Sequence, residues 1–482
     1  MSATRLGLAE ERSGPPHIAI VGGGFSGAIV ALNIARGTTC PVRVTIVEPR
    51  SWIGGGVAYS STDPAHRINV PAARMSAFSR DDGHFENWIL VNGAIAGDPQ
   101  ARLPDGRIFP RRIVFGTYVQ SEFAAALQNA PVEFEHIQDR VIVARRETQS
   151  WILDLARGGQ IAADVVVLAA SHPPPSLPSA FAAIAGHPRL IADPSSQAAL
   201  ASIEAGENVL IVGTGLTMAD IVASLDRRGH IGRIHAVSRH GLLSRGHAPV
   251  AEPIGNFTIE PNRTARGLLR QVRAQIAAAA RQGLPWQAVI DAVRRDGFEV
   301  WSALETEEKR RLLRHLRTFW DVHRYRVAPQ ISAVIERRLR EGSLVVTRGS
   351  IRASHAALTG IETRVFDRGR QREFGIFSNT VVLATGPAHG ALFTGEGLFP
   401  TLRERGYVRP DEFGLGVEVD VESRTISAKG LADDTLLVAG PLARGTFGEL
   451  MGLPQVTAHA ERVAMRVLGT VSQLSLARRR VG

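Results

Sequence analysis

The apolar segment His17-Ile18-Ala19-Ile20-Val21 runs straight into Gly22-Gly23-Gly24-Phe25-Ser26-Gly27, and this junction constrains the fold more than any other stretch of the chain. A short apolar run suits a strand buried on both faces of a parallel sheet. The glycines then have separate uses. Gly22 permits a tight turn, Gly24 lets backbone approach a pyrophosphate, and Gly27 allows a helix to pack closely on the strand. Ala28 to Arg36 has helical character and Val42 to Val47 reads as the next strand, which completes a β-α-β unit. Glu48 stands at its end, where an acidic side chain accepts hydrogen bonds from a ribose, while the helix N-terminus turns free N–H groups toward phosphates. Dinucleotide binding is the expectation from this stretch.

The same grammar returns later. Asn208 to Val212 reads as a strand, Gly213-Thr214-Gly215 as the turn, a helix runs through Asp226, and a further strand spans Arg233 to Val237. Met218 or Ala219 stands where a third glycine would be expected. After the second strand the acidic residue is replaced by Ser238-Arg239-His240. A carboxylate would repel a 2′-phosphate, whereas an arginine pairs with it and stacks on adenine. The expectation is therefore NADPH at Gly213, Gly215 and Arg239, with an ordinary surface arginine as the alternative.

These two units set the organisation. Residues 1–16 read as a flexible leader, 17–175 together with 381–470 as one dinucleotide-binding domain, and 176–380 as a second inserted into the first. The fold class expected is α/β, with two Rossmann-like domains and a helical subdomain. Asp164 to Ala170 and Thr380 to Leu383 are the apolar strands at the crossings, and Pro173-Pro174-Pro175 reads as the linker. An Arg-rich helical insertion occupies about 260–342. Its apolar positions Leu268, Leu269, Val272 and Ile276, then Leu312, Leu313, Leu316, Phe319 and Trp320, recur at helical spacing. They read as core, with a partner-binding face as the alternative. Residues 471–482 read as a loose basic tail.

Composition removes several classes. The formal charge is +10, but all basic residues except Lys309 and Lys429 are arginines, scattered among acids rather than gathered in a phosphate-tracking stripe, so no nucleic-acid partner is expected. Cys40 is the only cysteine, which excludes a CxxC redox pair. No apolar run is long enough to span a bilayer and no secretory signal is evident, so the expectation is a cytoplasmic protein without membrane attachment. No HExxH spacing or GxSxG elbow appears, and no metal is expected.

Three further stretches carry a resemblance: Gly54-Gly55-Gly56-Val57-Ala58-Tyr59 with His66 to Phe78, then Trp320 to Arg324, and Gly440 to Thr446 with Glu449. Over residues 17 to 465 the chain resembles the bacterial FAD/NAD(P)-binding protein family, which is similar to the two-dinucleotide-domain flavoproteins that include class B and N-hydroxylating monooxygenases. The resemblance implies FAD contacts from Gly22, Gly24, Ser26, Gly27 and Glu48. It also implies contacts from Asn69 and Val70 beside the flavin, from the Val141 backbone near the adenine, and from Gly440, Pro441 and Leu442 near the ribityl chain. Pro441 replaces the acidic residue that commonly follows the glycine, so any contact there is made by backbone.

Asn69, His323 and Arg324 are the catalytic candidates. For Asn69 a turn role before Val70-Pro71 is the alternative, and His323 cannot share a helical face with Asp321 two residues earlier. His247 is a further candidate for contact with substrate or NADPH. The function implied is an FAD-dependent, NADPH-using monooxygenase that oxygenates an amine or another soft nucleophile through a flavin C4a-hydroperoxide, with a small-molecule substrate and O₂ as partners. The alternatives are a reductase or dehydrogenase passing electrons from NADPH to a quinone or protein, and a non-catalytic FAD-binding sensor or scaffold.

Overall fold

The computed structural model describes residues 14–481 apart from 149, 196 and 250, so residues 1–13 of the expected leader lie outside it. Two parallel-centred sheets organise the chain. The first collects β1 (His17–Val21), β2 (Val42–Val47) and β3 (Val132–Ile137). After a three-stranded antiparallel sheet of β4 (Val141–Glu147), β5 (Ser150–Leu155) and β6 (Gln160–Ala163), the chain adds β7 (Val165–Leu168). The second sheet comprises β8 (Leu190–Ile191), β9 (Val209–Val212), β10 (Ile234–Ser238), β11 (Leu344–Ala357), β12 (Gly360–Asp367), β13 (Arg372–Ser378) and β14 (Thr380–Leu383). The chain then returns to the first sheet with β15 (Arg424–Ile426) and β16 (Ala432–Val438).

The first sheet has the order β15-β16-β7-β1-β2-β3 and the second β13-β12-β11-β10-β9-β14-β8. In each, the glycine-bearing strand is central, with parallel partners on both sides: β1 between β2 and β7, and β9 between β10 and β14. Central parallel strands are covered by helices on both faces and lose the polar alternation. Val165, Val166, Val167 and Leu168 show this, each fully buried. Both strand-glycine-helix units adopt the arrangement expected from the sequence, with helices at Phe25–Gly37 and Leu216–Arg227.

The helical insertion is broken into short helices, among them Ala265–Arg281, Trp286–Arg295, Gly297–Ala303, Thr306–His315 and Arg317–Arg324. Leu268 is buried beside Phe257, Val289 and Val293, with Val272, Ile276, Leu312 and Trp320 packed against them. Phe319 departs from the expected buried face and is 47% exposed. The helix ends at His315 and restarts at Arg317, so Leu312 and Phe319 do not share one continuous helical face.

A second difference lies at the C-terminal end. Where a loose tail was expected from residue 471, the helix Leu453–Val481 continues. Its inner face, including Val463, Ala464 and Val467, is buried, and it lies close enough to the helix Phe25–Gly37 that a Cβ on Gly37 would come 2.7 Å from Leu468. This helix therefore backs the first glycine turn. No helix among the described residues is long and apolar enough to cross a membrane.

Candidate functional site

At the first turn each glycine answers a specific crowding. Gly22 has φ of +107°, and a Cβ there would lie 2.6 Å from the Ala169 carbonyl oxygen on the neighbouring strand connection. A Cβ on Gly27 would come 2.0 Å from the Gly22 carbonyl oxygen. Gly24 is different, since its nearest neighbour would be Gly56 Cα at 3.4 Å. It is also the N-cap of the helix Phe25–Gly37, and no side chain caps that end. The first helical N–H groups are thus left for an outside acceptor.

Glu48 is 4% exposed and its carboxylate is already engaged. One oxygen accepts from the Gly23 N–H at 3.0 Å, and the other accepts from Arg50 through its backbone N–H at 3.1 Å and its Nη1 at 2.8 Å. A carboxylate offers about four acceptor directions, so little capacity remains for a ribose beyond a single further bond. Arg50 escaped sequence reading although it is only two residues away. Val141 packs in the same hydrophobic cluster as Val21 and Val47, beside the strand ends that lead into this turn.

The C-terminal part of the chain closes the turn from the other side. Gly440 has φ of +85°, and a Cβ there would come 2.2 Å from Ser26 Oγ. Pro441 and Leu442 begin a short turn, with the Leu442 carbonyl accepting from Val417 N at 2.8 Å. The Gly440 N–H donates to His459 Nδ1 at 3.2 Å, which leaves His459 Nε2–H to donate to Ser423 Oγ at 2.9 Å. His459 is fully buried, and burial holds its pKa down at about 3, so the imidazole is a neutral acceptor. No local sequence pattern pointed to His459.

The second turn repeats the backbone plan. Gly213 has φ of +121°, its Cβ would meet the Ala384 carbonyl oxygen at 2.2 Å, and its N–H donates to Val237 O at 2.8 Å. The matching bond at the first turn runs from Gly22 N to Val47 O at 2.9 Å. Gly215 is an uncapped N-cap, and a Cβ there would meet nothing within 4 Å. Met218, in the place of Gly27, is buried. Beyond β10, Arg239 is exposed and makes no ion pair or hydrogen bond with a described residue. Its charge, with those of Arg348 and Arg368, lowers the pKa of His240 after the leading effect of desolvation. Three cations therefore converge at the end of this strand pair, of which Arg239 alone was legible in sequence.

Between the turns, Asn69 and Val70 are half-buried on a segment pinned at several points. Arg67 is buried and pairs through both terminal nitrogens with Asp98 at 2.9 Å, and Ala72 N donates to Ile108 O at 2.9 Å. His247 Nε2–H donates to the Asn69 carbonyl at 2.9 Å, and burial holds its pKa at about 4. The inserted domain reaches the same region through Arg112 and Asp220, 2.8 Å apart, and through Ser224 and His66, 3.0 Å apart. Asp291, unread in sequence, gathers Arg326, Arg74 and Arg294 at 2.7, 3.2 and 3.5 Å.

The other candidates make no hydrogen bond with Asn69. His323 Nδ1–H donates to Phe319 O in its own helix at 2.7 Å, and its ring meets Trp286 edge-on. Arg324 is buried, pairs with Glu449 and covers the Tyr325 ring at 4.0 Å, with burial pushing its pKa down to about 10. Tertiary structure joins it to Glu449, a residue of the Gly440 segment's continuation, and not to His323.

Residues 19–173 match the sequence model of a family described as FAD-NAD(P)-binding. That segment carries the end of β1, the first glycine turn and Glu48. No curated protein matches the chain by sequence. Solved structures do match in fold. L-lysine 6-monooxygenase from Pseudomonas syringae is 17% identical with a TM-score of 0.63, over 96% of this chain and 100% of that one. Kutzneria sp. 744 ornithine N-hydroxylase, solved with reduced FAD, NADP+ and L-ornithine, is 16% identical with a TM-score of 0.61, over 95% and 99%. T. acidophilum thioredoxin reductase is 11% identical with a TM-score of 0.50, over 94% and 97%. At these identities the likeness is one of fold, a frame of two dinucleotide-binding domains. The uncapped helix N-terminus, the Gly24 approach and the acidic strand end suit an FAD diphosphate and ribose at the first turn.

Proposed function

We propose that this chain is an FAD-dependent, NADPH-using oxidoreductase that oxygenates an amine or another soft nucleophile on a small-molecule substrate, with O₂ as co-substrate. The observation that carries the reading is the doubled turn: two uncapped helix N-termini on two sheets, one ending near an acid, Glu48, and the other near three arginines, Arg239, Arg348 and Arg368. Fold likeness to amine-acting monooxygenases supports the oxygenation half.

Bound FAD would take reducing equivalents from NADPH and pass them to O₂. The chain's own residues bind and orient. N–H groups opening the helix Phe25–Gly37 meet the diphosphate, Glu48 gives its remaining acceptor direction to a ribose, and Gly440, lacking a side chain, lets its turn close against Ser26. Arg239 with Arg348 and Arg368 selects the 2′-phosphate by charge. Neutral His247 fixes the Asn69 carbonyl and so holds the Asn69-Val70 backbone in place. His323 Nδ1 is engaged within its own helix and Arg324 with Glu449, and we assign both a positioning role.

Anaerobic mixing of the FAD-loaded protein with NADPH should bleach the flavin's visible band faster than NADH does, and readmitted O₂ should appear in oxygenated product with an amine or sulfide panel. All O₂ emerging as peroxide across that panel, with fast electron delivery to a quinone, would favour the reductase reading instead. Failure of either nicotinamide to bleach the flavin would leave a binding protein.

A further inference from the structure

The helical insertion closes over a cavity of about 110 Å³ with walls of two kinds. One wall is apolar and includes Leu268, Val300, Leu304, Leu312 and Trp320. The other carries Arg317, Arg324 and Arg444 with Asp321 and Glu449. The charges do not balance by contact. Glu449 is committed to Arg324. Asp321 lies 3.7 Å from Arg317 Nε, and burial raises its pKa. Arg444 is left over: it is 8% exposed, its Nε is shielded from solvent, and its guanidinium makes no hydrogen bond or ion pair with a described residue.

No carboxylate in the surroundings of Arg444 touches its guanidinium, although Asp321 and Asp411 act on it at longer range. Asp411 is within its field, but that carboxylate accepts from the backbone N–H groups of Phe413 and Gly416, and burial raises its pKa. On the other side stand His172 and His389, one on each connection between the two sheets, with rings edge to face at 4.2 Å. Both ring nitrogens of His172 and Nδ1 of His389 are buried without a partner. Burial, with Arg444 and Arg317 adding to it, holds these imidazoles neutral, at about 4 and about 3. A largely buried guanidinium with no carboxylate in contact is costly unless an anion joins it. The two oxygens of a carboxylate match its fork, and the apolar part of the lining suits a hydrocarbon body.

We propose that this cavity binds an organic acid, with the carboxylate on Arg444 and an apolar body against Trp320 and its neighbours. As a binding site it does not rest on the oxidoreductase reading above, and binding is measured without turnover.

The test uses the FAD-loaded full chain and three probes with the same body: hexanoate, hexanol and hexylamine. Calorimetry should show hexanoate binding at least tenfold more tightly than the other two, with a rise in Tm. Arg444→Met should weaken hexanoate at least tenfold, leave FAD and NADPH affinities unchanged, and raise the Tm of the unliganded protein, because a lone buried charge is removed. A merely structural arginine would give the opposite Tm shift, and a fall would overturn the proposal. So would unchanged hexanoate binding in R444M, inorganic phosphate binding as tightly as hexanoate, or a loss confined to FAD or NADPH, which would assign the anion to a nucleotide. If R444M does not accumulate, R444K keeps the charge without the fork and should still weaken hexanoate; equal affinity there overturns the proposal. Tight hexanoate binding in a protein that forms no oxygenated product would leave the site standing and sink the reaction.

Discussion

At the first turn a Cβ on Gly27 would lie 2.0 Å from the Gly22 carbonyl oxygen, while at the second turn the same place in the motif is filled by Met218, whose whole side chain is buried. Both turns begin alike, with a left-handed glycine pressed against a carbonyl of the next strand connection, Ala169 in one case and Ala384 in the other. Beyond that they diverge. The first helix sits hard on its strand and is closed from the far side by Gly440 and from behind by the helix Leu453–Val481. The second stands off enough to admit a methionine, and a Cβ on Gly215 would meet nothing. The first turn is thus specified by packing, and the second chiefly by charge at the end of β10.

The comparison breaks most sharply at Gly27. Gly27→Ala should cost about 3 kcal/mol or more, since overpacking here drives a methyl into backbone that cannot swing aside. The variant should lose its flavin during purification and unfold at lower denaturant. Gly215→Ala, by contrast, should leave the unfolding free energy within about 0.5 kcal/mol of the parent's and act only on NADPH affinity. Equal destabilisation by the two would show that the turns are not specified differently.

The charge half is tested at Arg239. A lost charge-assisted hydrogen bond is worth about 1.5–3 kcal/mol, so Arg239→Ala should raise the KM for NADPH about tenfold or more and leave that for NADH unchanged. Arg348 and Arg368 share the region, and the double variant of Arg239 with Arg348 should erase the remaining preference. A preference for NADPH that survives both changes would remove the 2′-phosphate from this corner of the sheet.

What could be read from sequence follows the same division. Strand, turn and helix at both sites are local, so continuous apolar runs, glycine spacing and the ends at Glu48 and Arg239 were legible. Contacts that bring distant segments together were not. Nothing near Ser26 announces Gly440, and nothing near Gly440 announces His459, yet one hydrogen bond and one close approach decide how the turn is closed. Asp291 collects Arg74 from 217 residues earlier in the chain, and Arg444 looks ordinary until its lack of a partner is seen in three dimensions. Phe319 was misplaced because spacing alone cannot show the break between His315 and Arg317. The resemblance supplied Asn69 and Val70, but the reason their backbone is held, the His247 donor, is again a long-range contact.

The last expected effect is the most specific to the first turn. His459 accepts the Gly440 N–H only while neutral, and its folded pKa of about 3 lies below the ordinary value of 6.5. Below pH 6.5 the unfolded chain takes up a proton at this position that the folded chain refuses. Its contribution is therefore complete above that pH and is lost as pH falls toward 3, at about 1.4 kcal/mol per pH unit. His172, His247 and His389 are depressed in the same direction and steepen the overall decline. His459→Asn keeps an acceptor within reach of Gly440 but has no proton to gain, so denaturation measured across pH 6.5 to 4 should lose one proton's worth of slope, and flavin retention should become less acid-sensitive. The second turn has no buried histidine in this place, and NADPH affinity of H459N at neutral pH should match the parent; a slope unchanged by the substitution would mean that His459 does not hold the first turn closed.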